Sequence, residues 1–335
     1  MYNIICIGST SKDIFFPTNE GVIFDTPLEI TSQKKIAFEL GAKYQVKERF
    51  EALGGCAANV AQGLTKLGEQ SECYSKIGDD ELGHWIKKTL INGGVGVEAL
   101  EIEKECKSDL SLIIVNMNSG ERTVFSDRDA NNKLTILPEK LKHAHWIFIS
   151  SLNGDWQQHL RTILVIAKEK NIRVAFNPGQ KNIKTDLLEV TNAITASEIF
   201  FINKDEAIEI VGGLGDNMIS ELLENEEYLA KVLYRLSRGI IVITDGERGA
   251  WCYNGDSFFH GDALIQKAVD TTGAGDAFTS GFFAAYLKGK DPEECLSWGI
   301  VNSSSSVKEY GGQKGLLTQE EIEKMLSQIK IKKVN

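Results

Sequence analysis

Near its carboxyl end the chain reads Val269-Asp270-Thr271-Thr272-Gly273-Ala274-Gly275-Asp276-Ala277-Phe278. Apolar residues recur from Phe278 onward at the spacing of one helix face, so we predict that a helix begins within this stretch. The first N–H groups of a helix have no intrahelical acceptor, and the helix dipole makes that end positive. Gly273, Ala274 and Gly275 have small side chains or none, which lets an anionic group approach these amides closely. The stretch therefore predicts an anion site at a helix start.

Asp276 follows directly after this predicted anion site. A carboxylate would be repelled by a bound anion, so it is an unexpected neighbour for a site that only holds one. It is useful if it takes a proton from a hydroxyl that then attacks a phosphoryl group. The alternative is an ordinary helix start, in which an acidic residue in the first turn is favourable.

The composition is that of a globular protein and excludes several classes of partner. The chain has 335 residues, of which 42% are hydrophobic and 25% charged, enough for a large α/β domain with an addition. The net charge of −10 argues against nucleic acid and anionic membrane surfaces as partners. We find no signal peptide and no apolar run of about 18 residues. The six cysteines include no C-x-x-C pair and read as reduced thiols. We therefore expect a cytoplasmic protein.

Two motifs in the first sixty residues predict a second cluster of polar groups. The apolar run 4–7 predicts a buried strand, and Asp13 lies just beyond it, near where ligands bind in open α/β sheets. A turn or capping aspartate is the alternative. Further on, Leu53-Gly54-Gly55-Cys56-Ala57-Ala58-Asn59 leads into a stretch with helical apolar spacing. Gly55 permits close backbone approach, and Asn59 projects an amide. Tight loop packing would explain the glycines but not Asn59.

Further apolar runs at 145–149, 174–176, 199–202 and 239–243 alternate with helical patterns, which predicts a three-layer α/β fold with a mostly parallel sheet. Asn203 and Glu206 follow the third of these runs at i and i+3, the spacing of a capping pair. Thr244, Gly246 and Gly249 follow the fourth, in a glycine-rich turn that could also be a plain hairpin.

Two segments of the chain contain mainly β-strand patterns, and in this they differ from the rest of the sequence. Residues 35–40 and 43–50 flank Gly41, which predicts a hairpin, and 111–116 and 123–126 predict two strands around Gly120. We interpret both segments as parts of a small β-sheet lid. A lid suits phosphoryl transfer because it excludes water that would compete for the phosphoryl group. The alternative is an edge extension that serves only dimerisation.

Two of these motifs, the one that contains Asp276 and the one that contains Asn59, together resemble the signatures of a known family. DTTGAGDAFTSGF from Asp270 and GG-x-x-AN-x-A-x-x-L-x-x-LG from Gly54 resemble the two signatures of the ribokinase-like (PfkB) family of carbohydrate and nucleoside kinases, and the resemblance covers nearly the whole chain. It implies a three-layer αβα core with a mostly parallel sheet, formed by 1–13, 53–96 and 129–330. The lid would comprise 14–52 and 97–128.

The resemblance also implies an activity. It implies transfer of the γ-phosphoryl group of ATP to a hydroxyl of a sugar, with a nucleoside as the alternative acceptor. A non-catalytic binding protein is a remote third reading, because such a protein would be expected to lose Asp276 or the glycines. The resemblance further implies a homodimer formed through the lid, whose exposed strands need covering.

Residue roles carried over from the family fall into three groups. Asp276 would be the base, with the amides of Gly273, Ala274 and Gly275 holding the developing charge. Asp13, Gly55 and Asn59 would orient the acceptor. The nucleotide and ion side would comprise Asn203, Thr244, Gly246, Gly249 and Asn302, with Glu206 binding Mg²⁺ through water and Asp270 holding a monovalent cation such as K⁺.

Three positions fall outside these assignments. Cys56 stands where many family members have a lysine or a small residue. Ser151 and the two residues after it stand where ribose-specific members have a glutamate, which argues against ribose. Arg128 could contact an acidic sugar or a sugar phosphate, but we expect it to be a solvated charge. An acidic cluster at 79–81 is expected to serve a helix dipole and not a metal.

Overall fold

The computed structural model describes residues 3–26, 34–215, 220–264 and 267–334. Its strands are, in chain order, β1 (Asn3–Ile7), β2 (Ser11–Thr18), β3 (Val22–Asp25), β4 (Lys34–Ala37), β5 (Phe50–Gly54), β6 (Gln70–Tyr74), β7 (Lys76–Gly78), β8 (Glu101–Glu103), β9 (Leu110–Asn116), β10 (Arg122–Asp127), β11 (Trp146–Ile149), β12 (Arg173–Phe176), β13 (Ile199–Asn203), β14 (Ile240–Thr244), β15 (Ala250–Tyr253), β16 (Phe258–Gly261) and β17 (Ile331–Val334).

The α-helices are α1 (Cys56–Lys66), α2 (Glu81–Asn92), α3 (Asp129–Asn132), α4 (Pro138–Leu141), α5 (Trp156–Lys170), α6 (Gln180–Thr185), α7 (Leu187–Ala196), α8 (Lys204–Gly213), α9 (Ser220–Leu223), α10 (Glu226–Ser237), α11 (Ala274–Leu287), α12 (Pro292–Ser306) and α13 (Gln319–Met325). Short 3₁₀ turns cover Gly246–Arg248 and Leu326–Gln328. Within the described residues, no helix combines the length and the apolar character needed to cross a membrane.

A nine-stranded sheet forms the centre of the molecule, in the order β17-β16-β15-β14-β13-β12-β11-β1-β6. The strands from β14 to β6 are all parallel, whereas β15, β16 and β17 join as antiparallel neighbours. The five runs that predicted buried strands are β1, β11, β12, β13 and β14. The predicted mostly parallel sheet is confirmed.

Helices cover both faces of this sheet. On one face, Ile4 and Cys6 of β1 belong to a core that includes residues of α1, α11 and α12. On the other, Ile5 and Ile7 belong to a core that includes residues of α5, α7, α8 and α10. A parallel strand covered on both faces must be apolar on both, which is why these strands read as continuous apolar runs. The predicted three-layer arrangement is confirmed.

A separate four-stranded sheet, which we call the lid sheet, has the order β10-β9-β2-β5. The two strands predicted around Gly120 are β9 and β10, and they pair antiparallel. The lid sheet begins at Ser11 in β2, so Asp13 lies on one of its strands and not in a turn after β1. The segment 101–103, which we had included in the lid, forms β8 and pairs with β7.

The hairpin predicted around Gly41 is wrong. The strand β4 ends at Ala37 and pairs with β3 instead, while residues 38–49 form no strand. Residues 39–49 are exposed, with Leu40 fully so, and a β-rich pattern without a surface to pack against is not enough to form a strand. Pairing resumes at Phe50, where β5 joins β2.

Candidate active site

A cavity of about 340 Å³ lies at the carboxyl edge of the central sheet, between the core and the lid sheet. The ends of β13 and β14 reach it, as do the beginnings of α1 and α11. Parallel strands point the same way, so the loops after them converge at one edge, where ligands bind in such sheets. The predicted site residues that line this cavity are Asp13, Gly55, Asn59, Asn203, Glu206, Thr244, Gly273, Gly275 and Asp276.

The predicted helix start is the beginning of α11. Gly273 is its N-cap residue with φ 77°, a left-handed conformation that favours glycine. A side chain at Gly275 would meet nothing within 4 Å, so this backbone is open to the cavity. The N–H of Ala274 differs, because it donates to the carbonyl oxygen of Thr271 at 3.3 Å. The structure thus places Gly273 and Gly275, but not Ala274, on the cavity wall.

Asp276 lies in the first turn of α11 and is only 8% exposed. Its Oδ2 accepts a hydrogen bond from Asn59 Nδ2 at 2.9 Å, and its carboxylate also accepts one from the Cys56 thiol. Burial raises the pKa of Asp276 to about 6, against the opposing effects of Asn59, Cys56 and the positive charge of Arg122. A carboxyl with that pKa is ionised at neutral pH yet basic enough to accept a proton.

Asn59 is even more buried than Asp276, at 4% exposure. While Nδ2 donates to Asp276, Oδ1 accepts a hydrogen bond from Gln313 Nε2 at 3.1 Å. Both ends of the amide are therefore used within the protein, one of them on the predicted base. No local sequence pattern pointed to Gln313, which lies in the loop after α12.

Asp13 projects from β2 with 5% exposure and accepts a hydrogen bond from Ser11 Oγ at 2.8 Å. A side chain at Gly54 on the neighbouring β5 would overlap the Asp13 carboxylate, which explains the first glycine of the pair. Burial raises the pKa of Asp13, while hydrogen bonds from Ser111 and Ser11 and the nearby Arg128 charge oppose that rise.

Arg128 is not the solvated charge expected from the sequence. It lines the cavity and donates to Ser111 Oγ at 3.0 Å. Its Nε lies 3.8 Å from the buried carboxylate of Asp109. The side chain follows directly after β10, and the lid sheet turns it inward, where a positive charge offsets two buried carboxylates.

Gly55 is the N-cap residue of α1, with φ 93°. A side chain there would collide with the backbone of Ser9 and Thr10. Tight loop packing, one of the two explanations for this glycine, is therefore present. The backbone of Gly55 also borders the cavity.

Asn203 and Glu206 form a capping box at the start of α8, the arrangement that their i, i+3 spacing suggested. Asn203 Oδ1 accepts from the N–H of Glu206 at 2.9 Å, and Glu206 Oε2 accepts from the N–H of Asn203 at 3.4 Å. Both residues also line the cavity. Burial is the main cause that raises the pKa of Glu206 to about 7, and the nearby Glu209 and Asp205 add to it.

The glycine-rich turn joins β14 to the antiparallel β15 as a hairpin. Thr244, its first residue, lines the cavity. Gly246 has φ 51° and open space around it, whereas Gly249 has φ 90° and would clash with Gly261 if it carried a side chain. Neither glycine lines the cavity described above.

Asn302 is fully buried, and its placement does not support the predicted contact with a nucleotide. Its Nδ2 donates to Ala277 O at 2.8 Å and to Ser280 Oγ at 3.2 Å, and its Oδ1 accepts from Leu317 N at 2.9 Å. All of its hydrogen-bonding groups are thus used to join α12 to α11 and to the following loop.

Asp270 is also fully buried. Its Oδ1 accepts from Thr272 N and its Oδ2 from Gly311 N, each at 2.9 Å. The acidic cluster at 79–81 behaves as expected, because Asp80 caps α2 by accepting from Gly83 N. No group of three metal-ligating side chains occurs among the residues that the structure describes.

Arg122 is a cavity residue to which the sequence pattern assigned no role. It lies on β10, lines the cavity and donates to Thr271 Oγ1 at 2.9 Å. It also borders a second cavity of about 660 Å³ between the β3–β4 hairpin, the lid sheet and α8. Arg122 therefore stands at the junction of the two cavities, with its charge near Asp276.

Comparison with known proteins agrees with this architecture. The family model described as pfkB family carbohydrate kinase matches residues 29–319. The chain belongs to the PfkB family. This PfkB-family protein is therefore a phosphotransferase that acts on a hydroxyl of a sugar or a nucleoside.

Two curated relatives match this kinase along almost its whole length. A nucleoside kinase of Methanocaldococcus jannaschii is 26% identical over 340 residues, which cover 99% of each chain. A 5-dehydro-2-deoxygluconokinase of Bacillus licheniformis is 25% identical over 342 residues, which cover 97% of this chain and 96% of the relative.

Solved structures show the same fold. The structure of the M. jannaschii nucleoside kinase, described as an archaeal member of the ribokinase family, has a TM-score of 0.72 at 25% identity and covers 98% of this chain and 99% of its own. The Burkholderia thailandensis nucleoside kinase in complex with inosine has a TM-score of 0.78 at 18% identity, covering 97% of this chain and 98% of its own.

Proposed function

We propose that this PfkB-family kinase transfers the γ-phosphoryl group of ATP to a hydroxyl of a sugar, with Asp276 as the general base. One observation carries the proposal. A buried carboxylate at the start of a helix faces the same cavity as the open backbone of Gly275 and the carboxylate of Asp13. That arrangement puts a base, an anion site and an acceptor for hydroxyl hydrogen bonds around one space.

The acceptor lies on the lid side of this cavity. Asp13 offers carboxylate oxygens that bind sugar hydroxyls as paired acceptors, and Ser111 and Arg128 beside it supply donors. Gly55 brings backbone close to the same space, and the exposed part of Asn59 completes the wall. The hydroxyl to be phosphorylated faces Asp276, which takes its proton as the phosphorus–oxygen bond forms.

The donor lies on the α11 side. Its γ-phosphoryl group rests against the backbone of Gly273, Gly275 and the helix start, where N–H groups and the dipole stabilise the charge that develops. Arg122 of the lid adds a positive charge next to Asp276. Thr244 and Asn203 border the donor side of the cavity, and we place Gly246 nearer to the rest of the nucleotide.

The residues on this side also fit Mg²⁺. The capping box uses Oε2 of Glu206. The other carboxylate oxygen, Oε1, can therefore hold a hydrated Mg²⁺ through water, as this hard cation prefers. When bound, the ion neutralises charge on the phosphate groups. Asp270 fits K⁺ less well because each of its oxygens already accepts a backbone N–H, and we derive no step through a monovalent cation.

A nucleoside is a second candidate acceptor. Full-length similarity to a nucleoside kinase favours it, and Ile113, Val124 and Phe201 give the cavity an apolar wall on which a base could lie. Two aromatic side chains of the segment 14–52 do not contribute to that wall. Phe15 is buried against Tyr310, and Phe38 packs against Tyr44.

We also propose that two copies associate through their lids. Phe125 of β10, which does not line the cavity, is 59% exposed, and β10 is an edge strand of the lid sheet. Exposed edge strands with apolar side chains are commonly covered by a partner. A mass of two chains in light scattering, reduced to one by Phe125→Lys, is the expected result.

The test of the activity is ADP release with a panel of pentoses, hexoses, acidic sugars and nucleosides. We expect one class to support turnover, and Asp276→Asn to lower that turnover about 10²–10⁴-fold while nucleotide still binds. The control is Asp262→Asn, since Asp262 is an exposed carboxylate remote from the cavity. Near-normal turnover by Asp276→Asn would refute the assignment of Asp276 as the general base. Turnover with nucleosides and none with sugars would select the second candidate.

A further inference from the structure

The loop 311–313 contacts the reaction centre at three successive residues. The N–H of Gly311 donates to Asp270 Oδ2 at 2.9 Å. The Cα of Gly312 lies so close to Gly273 that a side chain on Gly273 would overlap it, and a side chain on Gly312 would come within 2.8 Å of Asn59 Nδ2. Gln313 then donates from Nε2 to Asn59 Oδ1. One loop thus supports the N-cap residue of α11 and the amide that binds the base.

The hydrogen bonds from Gln313 to Asn59 and from Asn59 to Asp276 both depend on the orientation of the Asn59 amide. An asparagine amide has one donating end and one accepting end, and the ionised Asp276 carboxylate only accepts. Asn59 stabilises that carboxylate only while Nδ2 faces it. The reversed amide would place Oδ1 against the carboxylate, where two acceptors repel each other. Gln313 Nε2, 3.1 Å from Asn59 Oδ1, favours the first orientation and disfavours the second.

We propose that Gln313 is a positioning residue for the phosphoryl transfer. By donating to Asn59 Oδ1 it fixes the orientation of the Asn59 amide, which in turn keeps Asp276 deprotonated and aimed into the cavity. The inference rests on the proposed function of Asp276 as the base. Gln313 itself is not among the residues that line the catalytic cavity, so its effect reaches the reaction through Asn59.

Other groups also face Asp276 and must be separated from this effect. Cys56 on α1 donates to its carboxylate, Arg122 on β10 lowers its pKa, and Asp13 on β2 raises it. Arg128 and Glu206 face Cys56. None of these groups changes when Gln313 is replaced by the neutral methionine, so a shift in the titration of Asp276 in Gln313→Met would report on the Gln313–Asn59 contact without the effect of a new charge.

Two substitutions test the orientation. In Gln313→Glu the introduced carboxylate can only accept, so it attracts Asn59 Nδ2 away from Asp276 and adds a negative charge nearby. Gln313→Met removes the donor without attracting either end of the amide. The matched control is Gln319→Glu, because Gln319 makes an amide-to-carboxylate hydrogen bond on the exposed face of α13.

The first readout is the pH dependence of kcat with whichever acceptor supports turnover. For Gln313→Glu we expect the acidic limb to move up by about 1 pH unit, so that kcat falls about tenfold well below neutral pH and recovers at alkaline pH. Gln313→Met should move the limb in the same direction by less. A merely structural role would lower thermal stability and leave the limb unmoved, which would overturn the proposal.

The second readout needs no activity. The carboxyl ¹³C resonance of Asp276, assigned by its loss in Asp276→Asn, is titrated in the wild type and in each variant without substrate. A higher midpoint in both Gln313→Met and Gln313→Glu but not in Gln319→Glu supports the positioning role. An unchanged midpoint in Gln313→Met overturns it, because the added charge alone would account for a shift confined to Gln313→Glu. If the midpoint moves but no acceptor is phosphorylated by any protein, the proposed function fails while the contact itself is established.

Discussion

Asn59 Nδ2 lies 2.9 Å from Asp276 Oδ2, although 217 positions separate the two residues in the chain. Asn59 is in the first turn of α1 and Asp276 is in the first turn of α11, and these two helices pack on the same face of the central sheet. The two signatures of the family therefore meet in one hydrogen bond. The second signature supplies the carboxylate that we propose as the base, and the first supplies the donor that stabilises its ionised form.

Burying Asp276 for catalysis should make the fold less stable. Its pKa is raised from 3.8 to about 6, so the folded state binds the proton more tightly than the unfolded state does. This carboxyl therefore favours folding at pH values below its unfolded pKa, and that contribution is lost as the pH rises through about 6.

We predict that Asp276→Asn is more stable than the wild type at neutral pH. The amide avoids the cost of a buried charge, a gain of up to about 3 kcal/mol in the free energy of unfolding. The measurement is urea unfolding at several pH values. The gain should vanish in acid, where the wild-type carboxyl is protonated. Equal stability of both proteins at neutral pH would contradict the burial argument.

The same carboxyl predicts the pH dependence of turnover. A general base works only when deprotonated, so kcat should fall as the pH drops through about 6. The Cys56 thiol donates to Asp276 and thereby lowers this pKa. In Cys56→Ala the acidic limb should move upward, whereas Cys56→Ser keeps a donor and should leave it near the wild-type position. Cys106→Ala, at a cysteine outside the cavity, is the control. A limb that does not respond to Cys56→Ala would contradict this prediction.

The elements that form the centre of the fold could be predicted because their signals are local. A strand covered on both faces, such as β11 or β14, must be a short apolar run. The start of α11 combines small residues with a helical apolar pattern. Asp276 was predicted to be the base from its position in that stretch and from the family resemblance, without knowledge of what it contacts.

The rest of the site depends on tertiary packing that no local pattern encodes. Gln313 meets Asn59 across 254 positions, and Arg122 reaches the cavity only because the lid sheet folds over the core. Asn302 also has tertiary partners that the sequence does not reveal. It lies on α12, which packs against α11, and its amide is hydrogen-bonded to the backbone of Leu317 and Ala277. The hairpin around Gly41 failed because the local β pattern met no packing surface.

The open backbone at Gly275 predicts that stability and activity respond in opposite directions. A methyl group there meets nothing within 4 Å, and alanine is a better helix former than glycine. Gly275→Ala should therefore keep or raise Tm. The methyl group would occupy the space where a phosphate approaches the amides, so kcat/KM should fall at least about tenfold.

The matched control for Gly275→Ala is Gly212→Ala, at a helical glycine of α8 where a methyl group would make only an ordinary contact with Leu223. This variant should retain activity and a similar Tm. If Gly275→Ala were fully active, the amides of α11 would not be the place where the phosphoryl group is held.

Two capping boxes in this chain allow the ion-binding role of Glu206 to be separated from its structural role. Glu206 caps α8 together with Asn203, and Glu321 caps α13 together with Thr318. Only the first box borders the catalytic cavity. Glutamine can replace glutamate in a capping box, so Glu206→Gln and Glu321→Gln should each cost less than about 1 kcal/mol of stability.

Their effects on turnover should differ. A neutral amide holds hydrated Mg²⁺ less well than a carboxylate does, so Glu206→Gln should raise the Mg²⁺ concentration needed for half-maximal turnover about tenfold or more, while Glu321→Gln leaves it unchanged. Because the pKa of Glu206 is raised to about 7, Mg²⁺ must compete with a proton there, and the wild-type requirement should increase as the pH falls below 7. A requirement independent of both pH and Glu206→Gln would mean that Glu206 only caps α8, and that Mg²⁺ is held by the phosphate groups alone.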